Sequence, residues 1–374
     1  IKVEPAPNAD VLRGFGPFDH GEGTYFLSIN RNKRSLAIDF RAEEARNILR
    51  KLALQADVLV ENFKPDVARQ IGVDYDSLSR ENPKLVYASI SGFGAKGPYG
   101  GWPGVDQIAQ GMSGFMSLTG ERGGGPMRVG IPIADLTSGM WAAIGVLSSL
   151  FGREATGCGG RVETTLVGAL IGLLCVQGQR FLSKGEVAGQ PGNDHPVIAP
   201  YGVFEAKDGP FNLCAATNEM WQSLCGIAGR EDLIDHPDFR DNTLRVKNLD
   251  RLKAELNSAF AADVCQTWTS RLIEAGIPAG PIYKMDQVFA DPHFQSQGFF
   301  EQVAHKTIGD LGLVATPIKR EGGWKQEGNR PPPVLGEHSD EIMKEAGFAE
   351  PEIVDLLARK IVHVFKGEPD DVRS

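Results

Sequence analysis

Apolar residues recur at helical spacing through residues 42–54, where Ala45, Ile48, Leu49 and Leu52 share a face and basic residues lie between them. That period predicts an amphipathic helix. The run ADVLV (56–60) predicts a strand, which ends in ENFKP and passes into a short helix reaching Gln70. The β-rich run LVYASI (85–90) predicts a second strand that closes on glycines. Further along, the pattern predicts a helix over residues 135–151, a strand over 161–166 and a helix over 167–182. Strands alternating with helices argue for a parallel sheet of the α/β kind.

At residues 186–200 the texture turns to Gly, Pro, Asn and Asp, which reads as a linker or an active-site loop. Beyond it, helices are expected at 218–228, 249–260 and 264–275, in a smaller mixed region. The polar, Pro-rich residues 323–333 are expected to form a second crossing. The tail from Glu337 should form two more helices, with the last eight residues loose. No internal repeat or low-complexity block is present.

Composition narrows the function classes. A chain of 374 residues, 41% hydrophobic and 23% charged, suits one large or two medium globular domains. Its 39 basic and 48 acidic residues give a net charge of −9, which speaks against a nucleic-acid partner. An anionic small molecule needs only a local basic pocket. The five cysteines include no C-x-x-C pair, so neither a disulfide framework nor a zinc knuckle fits. A reducing compartment is expected, the cytoplasm or, in a eukaryote, the mitochondrial matrix. The longest apolar run, residues 166–176, is shorter than the ~20 residues of a membrane span, so no membrane is expected. The opening IKVEP is unlike a signal peptide and reads as the end of a strand entered partway.

Several motifs carry candidate chemistry. Gly92-Phe93-Gly94-Ala95-Lys96-Gly97 is a literal G-x-G-x-x-G after a strand, but Pro98, Gly100, Gly101 and Pro103 follow it. A dinucleotide fingerprint needs a helix there, so these glycines are read as a tight turn or a close approach to a ligand. Ser113 lacks the second glycine of a nucleophile elbow. The seven histidines are scattered without metal-ligand spacing, and only His195, in the glycine-rich loop, is a candidate. Arg31, Lys33 and Arg34 crowd one polar run, either a solvated turn or a cradle for phosphate or carboxylate. Asp135 stands between an extended stretch (129–134) and a helix. It reads as an N-cap, or as a carboxylate nucleophile held ionised by the helix N-terminus.

With these residues in place, the chain resembles the family III CoA-transferases, the CaiB/BaiF type that includes formyl-CoA transferase. The resemblance runs through SINRNKRSLAIDF (28–40), ADVLVENFKP (56–65), SISGFG with its following GP (89–98) and GVDQIAQGMSG (104–114). It continues through GIPIADLTSGMWAAIG (130–145), HPVIAPYGVF (195–204), GIPAGPI (276–282) and PPPVLGEH (331–338). The first half looks closest to the succinyl-CoA:glutarate branch.

The resemblance implies a CoA-transferase with coenzyme A as co-substrate and no tightly bound cofactor. Asp135 occupies the family's nucleophile position, and Asp106, followed by Gln107, matches an acidic position near it. Asn62, Phe63 and Lys64 match the CoA-contacting segment, with Arg69 or Gln70 nearby, and Arg31, Lys33 and Arg34 could face the CoA phosphates. Arg122 and Arg128 are candidates for the distal carboxylate of a short dicarboxylate such as succinate or glutarate. The implied fold is an α/β Rossmann-like parallel-sheet large domain built from both chain ends plus a smaller α+β domain, in an interlocked homodimer. The expected large domain takes residues 1–190, the small domain 198–305, and residues 310–374 return to the large domain. An upstream strand–turn–helix unit usual in the family is missing from this sequence. No clear match to the glycine-rich lid of formyl-CoA transferase occurs in 200–300.

Related racemases carry a catalytic His-Asp pair in G-H-D, whereas this chain has Gly104-Val105-Asp106, and valine exchanges no proton. A racemase, a non-catalytic CoA-binding protein and an NAD-dependent oxidoreductase are the alternatives. They would show, in turn, α-proton exchange without an acceptor acid, binding without exchange, and nicotinamide binding.

Overall fold

A computed structural model describes residues 1–319 and 329–365. The chain forms two compact units. The first comprises Ile1–Gly104, Leu136–Ala169 and the described part of Phe289–Ser374, and the second comprises Val105–Asp135 and Leu170–Val288.

In the first unit, strands Val58–Glu61, Val86–Ser91 and Gly160–Thr165 form a parallel sheet with Val86–Ser91 at its centre. A second sheet places Ser35–Ile38 between the parallel strand Lys2–Pro5 and the antiparallel strand Val362–His363. All four residues of Ser35–Ile38 are buried, as a strand covered on both faces requires. Helix Glu43–Gln55 buries Ala45, Ile48, Leu49 and Ala53, close to the face its period predicts. Those side chains share a core with Leu36, Ile38, Leu78 and Tyr87 from the N-terminal part and Ile342, Met343 and Ile353 from the C-terminal part. Burial of one common apolar surface thus joins the two chain ends in one unit.

The second unit carries an antiparallel sheet of Tyr201–Ala206, Gly209–Cys214 and Ala279–Pro281. Its helices Asn218–Ile227, Leu249–Phe260 and Cys265–Glu274 lie within a residue of their expected bounds. Phe204, Phe211, Trp221, Phe260 and Trp268 fill its core.

Three expectations need correction. The helix expected from 135 is Ile133–Thr156, and the residues before it form no strand. The helix expected over 167–182 is two, Leu166–Leu173 and Cys175–Lys184, bent by 75° at the break. Gly168, Gly172 and Gly178 weaken that stretch, while its continuous apolar character hides the break. The third concerns membrane spans: by length and composition, Ile133–Thr156 is long and apolar enough to cross a membrane. Counting only unbroken apolar runs misses it, because Gly, Ser and Thr interrupt the pattern. The tail forms Ser339–Glu345 and Glu350–Ala358. Most of the expected second crossing (323–328) and the last eight residues lie outside the described residues.

Candidate functional site

The parallel strands of the first unit end together, with Glu61 opposite Ser89 and Ser91 opposite Thr165. Open α/β sheets take ligands beyond the carboxyl ends of their strands. There the Asn62 side-chain amide donates to Ile90 O at 2.6 Å, and Phe63 N donates to the Glu61 carboxylate at 2.6 Å. Both bonds fix the turn, leaving Phe63 and Lys64 exposed before helix Pro65–Gln70. Arg69 and Gln70 are exposed too, with the Arg69 guanidinium 3.8 Å from Asp66.

The glycine loop lies at the same edge. No helix opens at Gly97, and the next one is Asp106–Met112. Gly94 and Gly97 adopt φ of +90° and +88°. A Cβ on Gly92 would stand 2.6 Å from Gly104 Cα, so two backbones touch where any side chain would part them. Phe93, Tyr99 and Trp102 cluster beside them, Tyr99 and Trp102 with centroids 4.7 Å apart.

The basic run is largely committed within the first unit. Arg31 pairs with Glu301, and Arg34 bonds Glu345 at 2.7 Å and also Glu341. Lys33 donates to Asn30 Oδ1 at 2.9 Å, and burial pushes its pKa down. These contacts describe a charged turn tied to strand Phe300–His305 and helix Ser339–Glu345; a phosphate would have to compete with carboxylates for both guanidiniums.

In the second unit, Asp135 is the third residue of helix Ile133–Thr156, so it sits inside the first turn and is not the cap. Its side chain is exposed. Surrounding protein and, second, the negative charge of Asp106 raise its pKa above the usual carboxylate value. This reverses the sequence expectation that the helix terminus would dominate. Asp106 opens helix Asp106–Met112, where its Oδ1 accepts from Ala134 N at 2.8 Å. Its Oδ2 accepts from the Gln110 amide at 2.7 Å. Gln107, the next residue after Asp106, is exposed. Gln110 was absent from the residues picked out by sequence; its signal is the i, i+4 spacing from Asp106 on one helix face.

The remaining candidates separate. Arg128 is exposed and its Nε donates to the adjacent Val129 O at 3.1 Å. Arg122 donates to Asp250 at 3.0 Å and lies 3.5 Å from Asp194. The His195 ring stacks on Tyr201, with centroids 4.9 Å apart. Arg122, Arg180, Asp194 and His195 line a cavity of about 380 Å³ within the second unit. Among the described residues, no group of three or more His, Cys, Asp or Glu could hold a metal ion.

Comparison with known proteins supplies the class of chemistry. The profile of CoA-transferase family III matches residues 1–339. The chain is 34% identical over 364 residues to the succinyl-CoA:glutarate CoA-transferase of Mus musculus, covering 97% of this chain and 83% of that one. It is 34% identical over 354 residues to the acetyl-CoA:oxalate CoA-transferase of Acetobacter aceti, covering 94% and 89%. Among solved structures, a CaiB/BaiF family protein from Brucella suis superposes with a TM-score of 0.82 at 35% identity, over 92% of this chain and 91% of that one. The mixed α/β fold with its parallel sheet is the fold of that structure. The chain therefore belongs to CoA-transferase family III and is a CoA-transferase.

Proposed function

We propose that the chain moves CoA from succinyl-CoA, or a similar short acyl-CoA, to a short dicarboxylic acid through a covalent intermediate on Asp135. The observation that carries this reading is the Asp135 carboxyl in the first turn of a long helix, beside the charge of Asp106. A carboxylate raised in energy by a like charge gains more from forming a neutral acyl bond. Relatives named for succinate, glutarate and oxalate transfer support the substrate class.

In the first step, an Asp135 oxygen attacks the thioester carbonyl; the C–S bond breaks, leaving a mixed anhydride and CoA thiolate. The thiolate then attacks the Asp135 acyl carbon, releasing the donor acid and forming an aspartyl-CoA thioester. The acceptor carboxylate attacks that thioester and expels thiolate, which takes the acceptor acyl group and frees the Asp135 carboxylate. No net proton moves, and water must stay out, because an anhydride hydrolyses readily. The turn of Asn62, Phe63 and Lys64, at the carboxyl end of the parallel sheet, is the proposed CoA contact. Two interlocked copies form the proposed working enzyme. Val105, with its side chain exposed just before Asp106, supplies no base for racemisation.

Incubating the protein with succinyl-CoA and no acceptor, then quenching with hydroxylamine, should leave a hydroxamate at Asp135 in the peptide covering residues 130–153. A panel of acids should then yield new acyl-CoA masses. Active transfer with no adduct at Asp135 would favour direct transfer in a ternary complex and sink the covalent scheme.

A further inference from the structure

We infer that Gln110 is a positioning residue for the Asp135 nucleophile, holding Asp106 and the segment before Asp135 in one hydrogen-bonded frame. The inference rests on the reading of Asp135 given above. Gln110 is fully buried, so its amide groups need partners inside the protein. Its Nε2 donates to Asp106 Oδ2 at 2.7 Å and lies 3.5 Å from Ile131 O. Its Oε1 accepts from Val129 N at 2.8 Å. Asp106 completes the frame by accepting from Ala134 N at 2.8 Å, the residue before Asp135. One side chain of helix Asp106–Met112 therefore fixes the chain at Val129 and Ile131 and, through Asp106, at Ala134.

The frame has a chemical consequence. Asp106 and Asp135 repel one another, and a mobile Asp106 would relieve that repulsion by turning away. The Gln110 donor removes that freedom, so the repulsion persists until acylation neutralises Asp135. The same bonds set where the first turn of Ile133–Thr156 begins, and hence where the Asp135 carboxyl points. Displacing a reacting group by about 1 Å can cost about a hundredfold in rate.

Gln110→Met keeps the length and removes all three polar contacts. Turnover with succinyl-CoA should fall about a hundredfold while KM for the acyl-CoA changes little. Gln110→Glu gives a sharper signature. At neutral pH it places a carboxylate against Asp106; at acid pH the introduced carboxyl is protonated and donates again. Its turnover relative to wild type should therefore rise as pH falls, whereas the Gln110→Met ratio stays flat. Amide exchange at Val129 and Ala134 should accelerate in Gln110→Met. Turnover of Gln110→Met within threefold of wild type, a flat Gln110→Glu ratio, or unchanged exchange at both amides would each overturn the inference. The Gln110→Glu ratio needs only that variant and the wild type, so it decides even if Gln110→Met fails to fold. A wild-type protein that transfers no CoA would overturn the reading of Asp135 instead, and the exchange rates would then judge Gln110 alone.

Discussion

An acid in the first turn of a helix is ordinarily stabilised in its charged form by the dipole and the free amides. Asp135 departs from this rule because surrounding protein and the Asp106 charge both favour the neutral form. Attack requires the carboxylate, so the acid limb of kcat/KM should lie at higher pH than for an ordinary carboxyl. Asp106→Asn removes the second cause and leaves the first, so the limb should shift to lower pH. The plateau should fall as well, since asparagine keeps one acceptor oxygen and either the Gln110 amide or Ala134 N loses its acceptor. A limb that stays in place would separate Asp106 from the nucleophile. The stability consequence has the opposite sense from a salt-bridged acid. A pKa raised by folding means that the charged form opposes folding at neutral pH, and the penalty fades as pH falls through the folded value. Asp135→Asn should thus abolish transfer while its Tm at pH 7 matches or exceeds wild type, the gap closing in acid. A clear loss of Tm at neutral pH would contradict the direction of the shift.

The turn after Val58–Glu61 shows how an element sets a site without reactive chemistry of its own. Asn62 and the Phe63 amide are used locally, and Lys64 is left outward at the start of Pro65–Gln70. Lys64→Glu should be tolerated by the fold, because a negative residue suits a helix N-terminus. Beside CoA phosphates it is repulsive, so KM for acyl-CoA should rise about tenfold, worth about 1.4 kcal/mol, with turnover at saturation retained. A fall in turnover with KM unchanged would remove Lys64 from the binding surface. This turn, the strands flanking it and helices Asn218–Ile227, Leu249–Phe260 and Cys265–Glu274 were legible because period and punctuation agree there. The start of Ile133–Thr156 was not, since Gly130, Pro132 and a single Asp suggest a cap later than the true first turn. The partners of Arg31 and Arg34 were equally hidden, for Glu301 and Glu345 lie far along the chain and only the fold brings them near. Gln110 was hidden differently: its motif was read, but a buried amide looks like any helical polar residue until its partners are seen.

On the scale of the whole molecule, Ile133–Thr156 poses the largest question, because its apolar character exceeds what one copy buries. From Leu136 onward the helix belongs to the first unit, and one face packs on strand Gly160–Thr165 there: a Cβ on Gly145 would stand 2.6 Å from Val162 Cγ1, and the Thr164 hydroxyl donates to Ser138 O at 3.3 Å. Near its end, Arg153 bonds Asp57 at 2.9 Å and Lys84 O at 3.0 Å. The other face presents Met140, Ile144, Leu147 and Phe151, the last 84% exposed, at spacings that align them in one stripe. A helix apolar on both faces belongs in an interior. A lipid bilayer would cover the stripe, but it would also surround charged strands and loops packed on the opposite face. A second copy would cover it without that cost, in line with the interlocked dimer proposed for the enzyme. Burying a large apolar side chain contributes about 1.5–3 kcal/mol, so covering Leu147 and Phe151 in such a dimer would contribute about 3–6 kcal/mol in each copy. In detergent-free buffer, light scattering should give about twice the chain mass of 40.4 kDa. Leu147→Glu combined with Phe151→Glu should yield monomer or aggregate and lose transfer. A wild-type protein that stays at the single-chain mass while fully active, or dissolves only in detergent, would rule out the second copy as the cover.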